Sequence, residues 1–300
     1  SGARYVAADI GPTGQLLEPM GTLPFDEAYA LFAEQARAAT AAGADLFIIE
    51  TMADLAEAKA ALLAVVENSD LPAFVTMTFA EDGRTFLGTT PEVAAVTLSS
   101  MGADAVGINC SLGPKEILPM ARRLTAALPG DFPVFVKPNA GLPHSVDGKA
   151  VYDVSPEEYA AEMLPLAPMA TILGGCCGTT PAHIKALIDA TKELPLPEVT
   201  QKDTLFITSY CQAVALDGKD PVIIGERINP TGKKRLQQAL RDGDLDYVVS
   251  QGISQQEQGA DILDVNVGLP EIDEVKMIQA ACEQLQGSTL LPLQIDSTDP

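Results

Sequence analysis

Histidine is almost missing from this chain. Only His144 and His183 occur in 300 residues, and neither is assigned to a metal. Basic residues are few as well: 19 Lys and Arg face 41 Asp and Glu, for a net charge of −22. That balance argues against nucleic acid and anionic membrane as partners. No apolar run approaches the length needed to cross a bilayer. A secretory signal and an initiating Met are both lacking. Ser1-Gly2-Ala3 leads almost directly into an apolar strand, and the chain ends five residues after Leu291–Ile295, which also reads as a strand. The chain is therefore expected to be a piece of a longer polypeptide. Five cysteines without a secretory signal point to a reducing, cytoplasmic compartment. Asn109-Cys110-Ser111 has the form of a glycosylation acceptor, which is read as a chance match.

What is present is a regular alternation of strand and helix. Val6–Ile10, Leu46–Ile49, Phe74–Phe79, Ala105–Ile108, Val134–Val136 and Thr171–Leu173 read as strands. Between them lie segments with helical spacing of apolar residues. Ser155-Pro156-Glu157-Glu158 reads as a capping box with proline at the first helical position. Gly-Ala-Asp recurs at Gly43, Gly102 and Gly259, each time closing a helix and opening a strand. Those strands are read to end at Glu50, Cys110 and Asn266. Such alternation implies a parallel sheet with right-handed crossovers. Polar groups gathered at strand C-termini are the mark of a (β/α)8 barrel mouth. Six strands are counted where a closed barrel needs eight. The expected fold is thus α/β: a (β/α)8 TIM barrel lacking its first two strands, then the first part of a second TIM-like barrel. The expected boundaries are 1–197 for the first barrel, 198–217 for a linker and 218–300 for the second. Proline and glycine mark the linker, with one strand-like run at Thr204–Thr208. Beyond it come strand Val222–Ile224, a helix from about Lys233, strand Ile262–Val265, a helix from about Glu274 and strand Leu291–Ile295.

The most informative stretch is Gly174-Gly175-Cys176-Cys177-Gly178-Thr179-Thr180-Pro181. Neighbouring side chains on a strand point to opposite faces. Both thiols can face one centre only where the backbone bends sharply, and glycine permits the bend. Thr180 reads as an N-cap and Pro181 as the first helical residue. Cys110 lies at the end of another apolar run. Three thiols at strand mouths point to zinc with three protein ligands, Cys110, Cys176 and Cys177, and one open position. That is the catalytic pattern, since structural zinc is closed by four ligands. A redox-active pair and inert core cysteines are the alternative readings. Cys211 and Cys282 read as structural, and His183 as solvated.

Residues 1 to about 192 resemble the zinc-dependent homocysteine S-methyltransferases. The resemblance rests on Asp9-Ile-Gly-Pro-Thr-Gly, Glu50-Thr, Gly107-Ile-Asn-Cys110-Ser, Pro138-Asn-Ala-Gly141 and Gly174-Gly-Cys-Cys-Gly178. The second region resembles the pterin-binding methyltransferase barrels through Gly225-Glu-Arg-Ile-Asn-Pro230, Leu263-Asp-Val-Asn-Val-Gly268 and Gln294-Ile-Asp-Ser-Thr298. Two such barrels in this order resemble the cobalamin-dependent methionine synthase family. The resemblance implies methyl transfer to homocysteine, with the methyl drawn from 5-methyltetrahydrofolate through cobalamin. It implies an amino-group contact for Glu50 and substrate contacts for Asp9 and Asn139. For Asp9 a loop-closing hydrogen bond within Gly11-Pro12-Thr13-Gly14 is an equal alternative, and Asn139 is ambiguous in the same way. It also implies pterin contacts for Asp296, Asn266, Asp264, Glu226 and Asn229, each with bracing of a barrel mouth as the alternative.

The chemistry agrees with that resemblance. A free thiol with a pKa near ~8.5 is mostly protonated at neutral pH, and coordination to zinc deprotonates it. No cobalamin-binding segment is recognised, so cobalamin is expected on missing chain or on another protein. By itself the chain is expected not to turn over 5-methyltetrahydrofolate. Two other readings stand beside this one. A single-barrel methyltransferase using betaine or S-methylmethionine would share the cysteine motifs but would not need the second barrel. A non-catalytic zinc scaffold would call for a fourth protein ligand.

Overall fold

Helix-closing glycines set the rhythm of the chain. In the computed structural model, Gly43, Gly102 and Gly259 have φ of +86°, +98° and +90°, a left-handed conformation that stops a helix at little cost only when the residue is glycine. The aspartate two residues later then makes a two-point bracket. The Asp45 carboxylate accepts from the Val6 N–H (2.7 Å) while its own N–H donates to the Val6 carbonyl (2.8 Å). Asp104 does the same with Ala73, and Asp261 with Ile223. Each Gly-Ala-Asp therefore fixes where a new strand starts beside the preceding one.

The structure describes residues 4–128, 130–146, 148–195, 197, 205–217 and 220–298. The chain divides into two units, Ser1–Asp203 and Thr204–Pro300. In the first unit the chain order is β1 (Ala7–Ile10), α1 (Phe25–Ala41), β2 (Leu46–Met52), α2 (Leu55–Asn68), β3 (Ala73–Met77), α3 (Pro91–Ser100), β4 (Ala105–Asn109), α4 (Pro114–Ala127) and β5 (Val134–Lys137). A hairpin of β6 (His144–Val146) and β7 (Lys149–Val151) follows, then α5 (Pro156–Met163), β8 (Ile172–Leu173) and α6 (Pro181–Thr191). Six strands form one parallel sheet in the order β1-β2-β3-β4-β5-β8. The order never reverses, unlike that of a doubly wound sheet. The sheet also curls. Lys137 on β5 forms an ion pair with Glu50 on β2 across two intervening strands. Three strand spacings amount to about 14 Å in a flat sheet, too far for the two side chains to meet. These features are those of a partial TIM-like barrel.

Caps set the helix starts. The Asp54 carboxylate accepts from the Ala56 N–H (2.9 Å) at the start of α2, and Ser155 accepts from Glu158 (3.3 Å) at the start of α5. The core lies between sheet and helices, with Phe32, Phe47, Ile49, Leu62, Leu98 and Ile117 fully buried. Gly107 shows how tight the β4–β5 contact is: a Cβ there would sit 1.6 Å from the Phe135 carbonyl oxygen.

The second unit begins with an antiparallel hairpin, β9 (Phe206–Thr208) and β10 (Ala213–Ala215). This corrects the expected linker at 198–217, whose residues 198–204 lie outside the described residues. The Ser209 hydroxyl donates to the Leu290 carbonyl (2.7 Å), which fastens the hairpin to the end of the unit. Next come β11 (Ile224–Ile228), α7 (Lys234–Asp242), α8 (Leu245–Glu257), β12 (Ile262–Val265), α9 (Glu274–Gln286) and β13 (Leu293–Ile295). The sheet is parallel, in the order β11-β12-β13. Its core gathers Ile228, Leu236, Val248, Leu263, Val265 and Leu285. The single helix expected from Lys233 is two helices, because Gly243 (φ +68°) closes one and Asp244 caps the next, accepting from Tyr247 (3.2 Å). No described helix is long and apolar enough to cross a membrane.

Candidate metal and substrate site

Loops at the C-terminal ends of β4 and β8 bring a cluster of thiols together, and the loop after β5 braces it through Asn139. The Sγ atoms of Cys110, Cys176 and Cys177 all lie within 4.8 Å of one another, and those of Cys110 and Cys177 are 3.7 Å apart. All three cysteines are free. Tetrahedral zinc with Zn–S bonds of about 2.3 Å sets its sulfurs about 3.8 Å apart, so this donor set fits that ion. Among the described residues no fourth His, Cys, Asp or Glu joins the group. Hydrogen bonding from Cys176 draws the Cys110 pKa down to about 5, and the same contact pushes that of Cys176 up.

The backbone that carries the thiols is strained and tightly tied. Cys110 and Ser111 sit at φ +61° and +56°, and Thr51 at +65°. Each such conformation costs a non-glycine residue about 1–3 kcal/mol and persists only where the surroundings enforce it. Asn109 provides much of that enforcement. It is fully buried; its Oδ1 accepts from the Thr51 N–H (2.8 Å) and the Thr76 hydroxyl (2.9 Å), and its Nδ2 donates to the Thr51 hydroxyl (2.7 Å). The same Nδ2 faces Cys176 Sγ at 3.8 Å. Cys110 N–H donates to the Lys137 carbonyl (3.0 Å), and Cys176 N–H to that of Pro138 (2.8 Å).

Asn139 is buried, and its Oδ1 accepts from the Cys177 N–H (3.0 Å). The structure thus places it among the ties that hold the cysteine loop. Tyr159 is fully buried below, and its hydroxyl donates toward the carbonyls of Gly174 (2.9 Å) and Pro138 (3.2 Å). His183 is buried, not solvated as the sequence reading had it. Its Nδ1 meets Thr180 (2.9 Å) and its Nε2 meets the Val154 carbonyl (2.9 Å). The ring completes the cap of α6 and ties it to the loop that follows β7.

Glu50 does not end its strand, because β2 runs on to Met52. It pairs with Lys137, and Asp9 lies in the field of both. Burial and the Glu50 charge raise the Asp9 pKa, with Lys137 opposing. The loop after β1 is closed by Thr13, whose N–H and hydroxyl both donate to the buried Glu57 (2.6 Å each). Glu57 thus fills the loop-closing role that the sequence offered as an alternative for Asp9. Thr51 adjoins Glu50 and is held by Asn109, which adjoins Cys110. The charged pair and the thiols therefore share one mouth.

In the second unit, a polar cluster forms over β11–β13. Asn266 Nδ2 donates to Asp296 (3.0 Å), and Gln294 Nε2 donates to Asp264 (3.0 Å). Asp264 is buried, and its pKa is raised by that burial and then by Asp296 and Glu226. Glu226 is exposed on a strand irregularity between Gly225 and Ile228, paired with Lys233 (3.3 Å). Asn229 stands apart from the cluster, accepting from the Thr231 N–H (3.0 Å) to close a local turn.

A family model described as homocysteine S-methyltransferase matches residues 1–191. The chain belongs to that family. It is 31% identical over 304 residues to the methionine synthase of Mycobacterium tuberculosis (strain ATCC 25618 / H37Rv), an alignment that covers 99% of this chain and 25% of that protein. The chain thus spans about a quarter of the length of the curated relative it matches. The homocysteine methyltransferase MmuM of Escherichia coli has a similar fold. Its apo form superposes with a TM-score of 0.51 at 24% identity, over 63% of this chain and 64% of that one. Its metallated form gives 0.51 at 23% identity, over 63% and 62%.

Within this homocysteine S-methyltransferase unit, sequence reasoning named the three thiols and missed Asn109, Lys137, Tyr159 and His183. Asn109 had a readable signal: an amide flanked by Ile108 and Cys110 at the end of a wholly apolar strand needs internal partners. Lys137 had none, because its partner lies 87 residues away.

Proposed function

We propose that the chain methylates the sulfur of homocysteine to give methionine, with Cys110, Cys176 and Cys177 holding a zinc ion. The observation that carries this is the convergence of three free thiols from two loops, those after β4 and β8, to within 4.8 Å, with no fourth protein ligand among the described residues. When bound, zinc supplies the Lewis acidity that brings a substrate thiol to its nucleophilic form at neutral pH. The cysteines hold the ion and leave one position for the substrate sulfur. Asn109, Asn139 and Tyr159 keep the three loops in register. Glu50 and Lys137 offer one charge of each sign to a zwitterionic amino acid, and Asp9 adds a second carboxylate for the amino group.

The methyl group, on this reading, comes from 5-methyltetrahydrofolate by way of cobalamin, which is carried on a domain of the parent chain or a separate protein. Support comes from the alignment with a methionine synthase, which runs through both units. It comes also from the amide and carboxylate cluster over β11–β13, suited to a pterin through Asp296, Asn266 and Asp264, with Glu226 at its margin and Asn229 in the turn after β11. The first barrel then serves homocysteine and the second the pterin. A one-barrel enzyme taking methyl from betaine or S-methylmethionine would leave the second cluster without a use.

In the full-length parent protein, Asp296→Ala should slow methyl transfer from 5-methyltetrahydrofolate about tenfold or more, the scale of one hydrogen bond to a charged group. Homocysteine methylation from methylcobalamin should stay near normal. Equal loss in the two assays would refute separate sites.

A further inference from the structure

Cations are scarce in this chain, yet they crowd one short stretch of the second unit. Residues 227–241 hold five of the 19 Lys and Arg and no Asp or Glu. Lys233, Lys234 and Arg235 are consecutive at the start of α7, and the first turn of that helix has no acidic residue. Cations there oppose the helix dipole, so helix stability does not explain them. Lys233 is already paired. Its Nζ donates to the Glu226 carbonyl (3.0 Å) and to the Glu226 carboxylate (3.3 Å), which ties the start of α7 to the margin of the Asp264, Asn266 and Asp296 cluster. Arg241 pairs with Glu271 (3.3 Å). Lys234 and Arg235 are both exposed, and neither forms an ion pair with a described residue. The Arg235 guanidinium lies over the Tyr247 ring, 4.4 Å from its centroid. Stacking holds the planar group in place and leaves its N–H edge free to receive a carboxylate in a fork.

We infer that Lys234 and Arg235 receive the carboxylates of a folate's γ-linked glutamate tail, so that the second unit takes the polyglutamylated form in preference to the monoglutamate. The inference rests on the pterin reading above and deepens it by naming the substrate class. The order of charges fits. A folate offers N–H donors on the pterin at one end and carboxylates at the other, with a rigid aromatic spacer between. The unit presents the amide and carboxylate groups of Asn266, Asp264 and Asp296 over its sheet, then two free cations beyond the Lys233–Glu226 pair. An ordinary solvated helix face mixes the two signs, as Lys185 and Asp189 do on α6. From Lys233 to Arg241 there is only one sign. A tail of several glutamates brings more negative charge to those cations than a single glutamate does, and it gains more from them.

The test uses the full-length parent protein and two forms of 5-methyltetrahydrofolate, the monoglutamate and the γ-linked triglutamate. Dissociation constants are measured for both in low salt and in about 0.5 M salt. The triglutamate should bind about five- to tenfold more tightly in low salt, the scale of two exposed ion pairs. Most of that advantage should vanish in high salt, where exposed charges are screened. Lys234→Gln together with Arg235→Gln should make the two forms bind alike. Lys234→Glu together with Arg235→Glu should reverse the preference, so the inference does not hang on one variant. Asp296→Ala should weaken both forms and leave their ratio as in the wild type. Equal binding of the two forms by the wild type, or a ratio that neither charge variant moves, would overturn the tail site. Weakening of both forms by Asp296→Ala would then leave the pterin reading standing. A wild-type protein that binds neither form would overturn both.

Discussion

Serine at both Cys176 and Cys177 should take the chain from one bound zinc to none. The two thiols occupy one bend, between Gly175 and Gly178, and Cys110 alone cannot hold the ion. A hydroxyl is a poor substitute, since zinc in such sites binds the thiolate and not the protonated group. Cys211 and Cys282 serve as controls. Cys211 sits by Ser209 and Leu290 in the second unit, and Cys282 packs against that unit's core. Neither belongs to the thiol cluster, so Cys211→Ser and Cys282→Ser should leave zinc content unchanged. Metal analysis of the purified variants reads all three outcomes. Full zinc retention in the double variant would sink the assignment.

Asn109→Ala should cost the first unit about 2–5 kcal/mol, measured by urea unfolding. The estimate follows from two donors left without an acceptor, the buried Thr76 hydroxyl at about 1–3 kcal/mol and the half-buried Thr51 N–H toward the lower part of that range. The loss should extend to the metal. Thr51 and Cys110 hold left-handed backbone conformations that relax once Asn109 no longer ties them. Zinc affinity should fall together with stability. A stability change below about 1 kcal/mol, the size of an ordinary surface effect, would mean that the strained turn is held by something else.

The legible part of this chain is the part written in local patterns. Gly-Ala-Asp marked three strand starts because its left-handed stop is local, whereas the aspartate's bracket to the preceding strand, 31 to 39 residues back, is not. The cysteine bend was legible because Gly174, Gly175 and Gly178 frame it within five residues. What escaped are partnerships formed only after the sheet curls. Lys137 and Glu50 meet across two strands, and Glu57 reaches back to Thr13 from α2. His183 was misread because its first-turn position suggests solvent, whereas the Val154 carbonyl comes from a distant loop to receive it. The break at Gly243 is a different kind of miss. Glycine followed by aspartate is a helix stop and a helix start side by side, and it was readable.

The second unit shows the same division. β12 lies where it was expected, at Ile262–Val265, but β11 runs over Ile224–Ile228 and not Val222–Ile224, and the strand-like run at Thr204–Thr208 has a partner, β10, that was not foreseen. Six residues of strand in a proline- and glycine-rich stretch carry little periodic signal. Their pairing with each other, and the tie from Ser209 to Leu290, are long-range facts.

The claim on which the rest depends is an open three-sulfur zinc site. Zinc-edge X-ray absorption of the zinc-loaded chain, recorded without and with homocysteine, counts the sulfurs directly. Three sulfur neighbours at about 2.3 Å and one lighter atom are expected without substrate, and four sulfurs with it. A sulfur count that does not change when homocysteine is added would contradict a site whose fourth position belongs to the substrate.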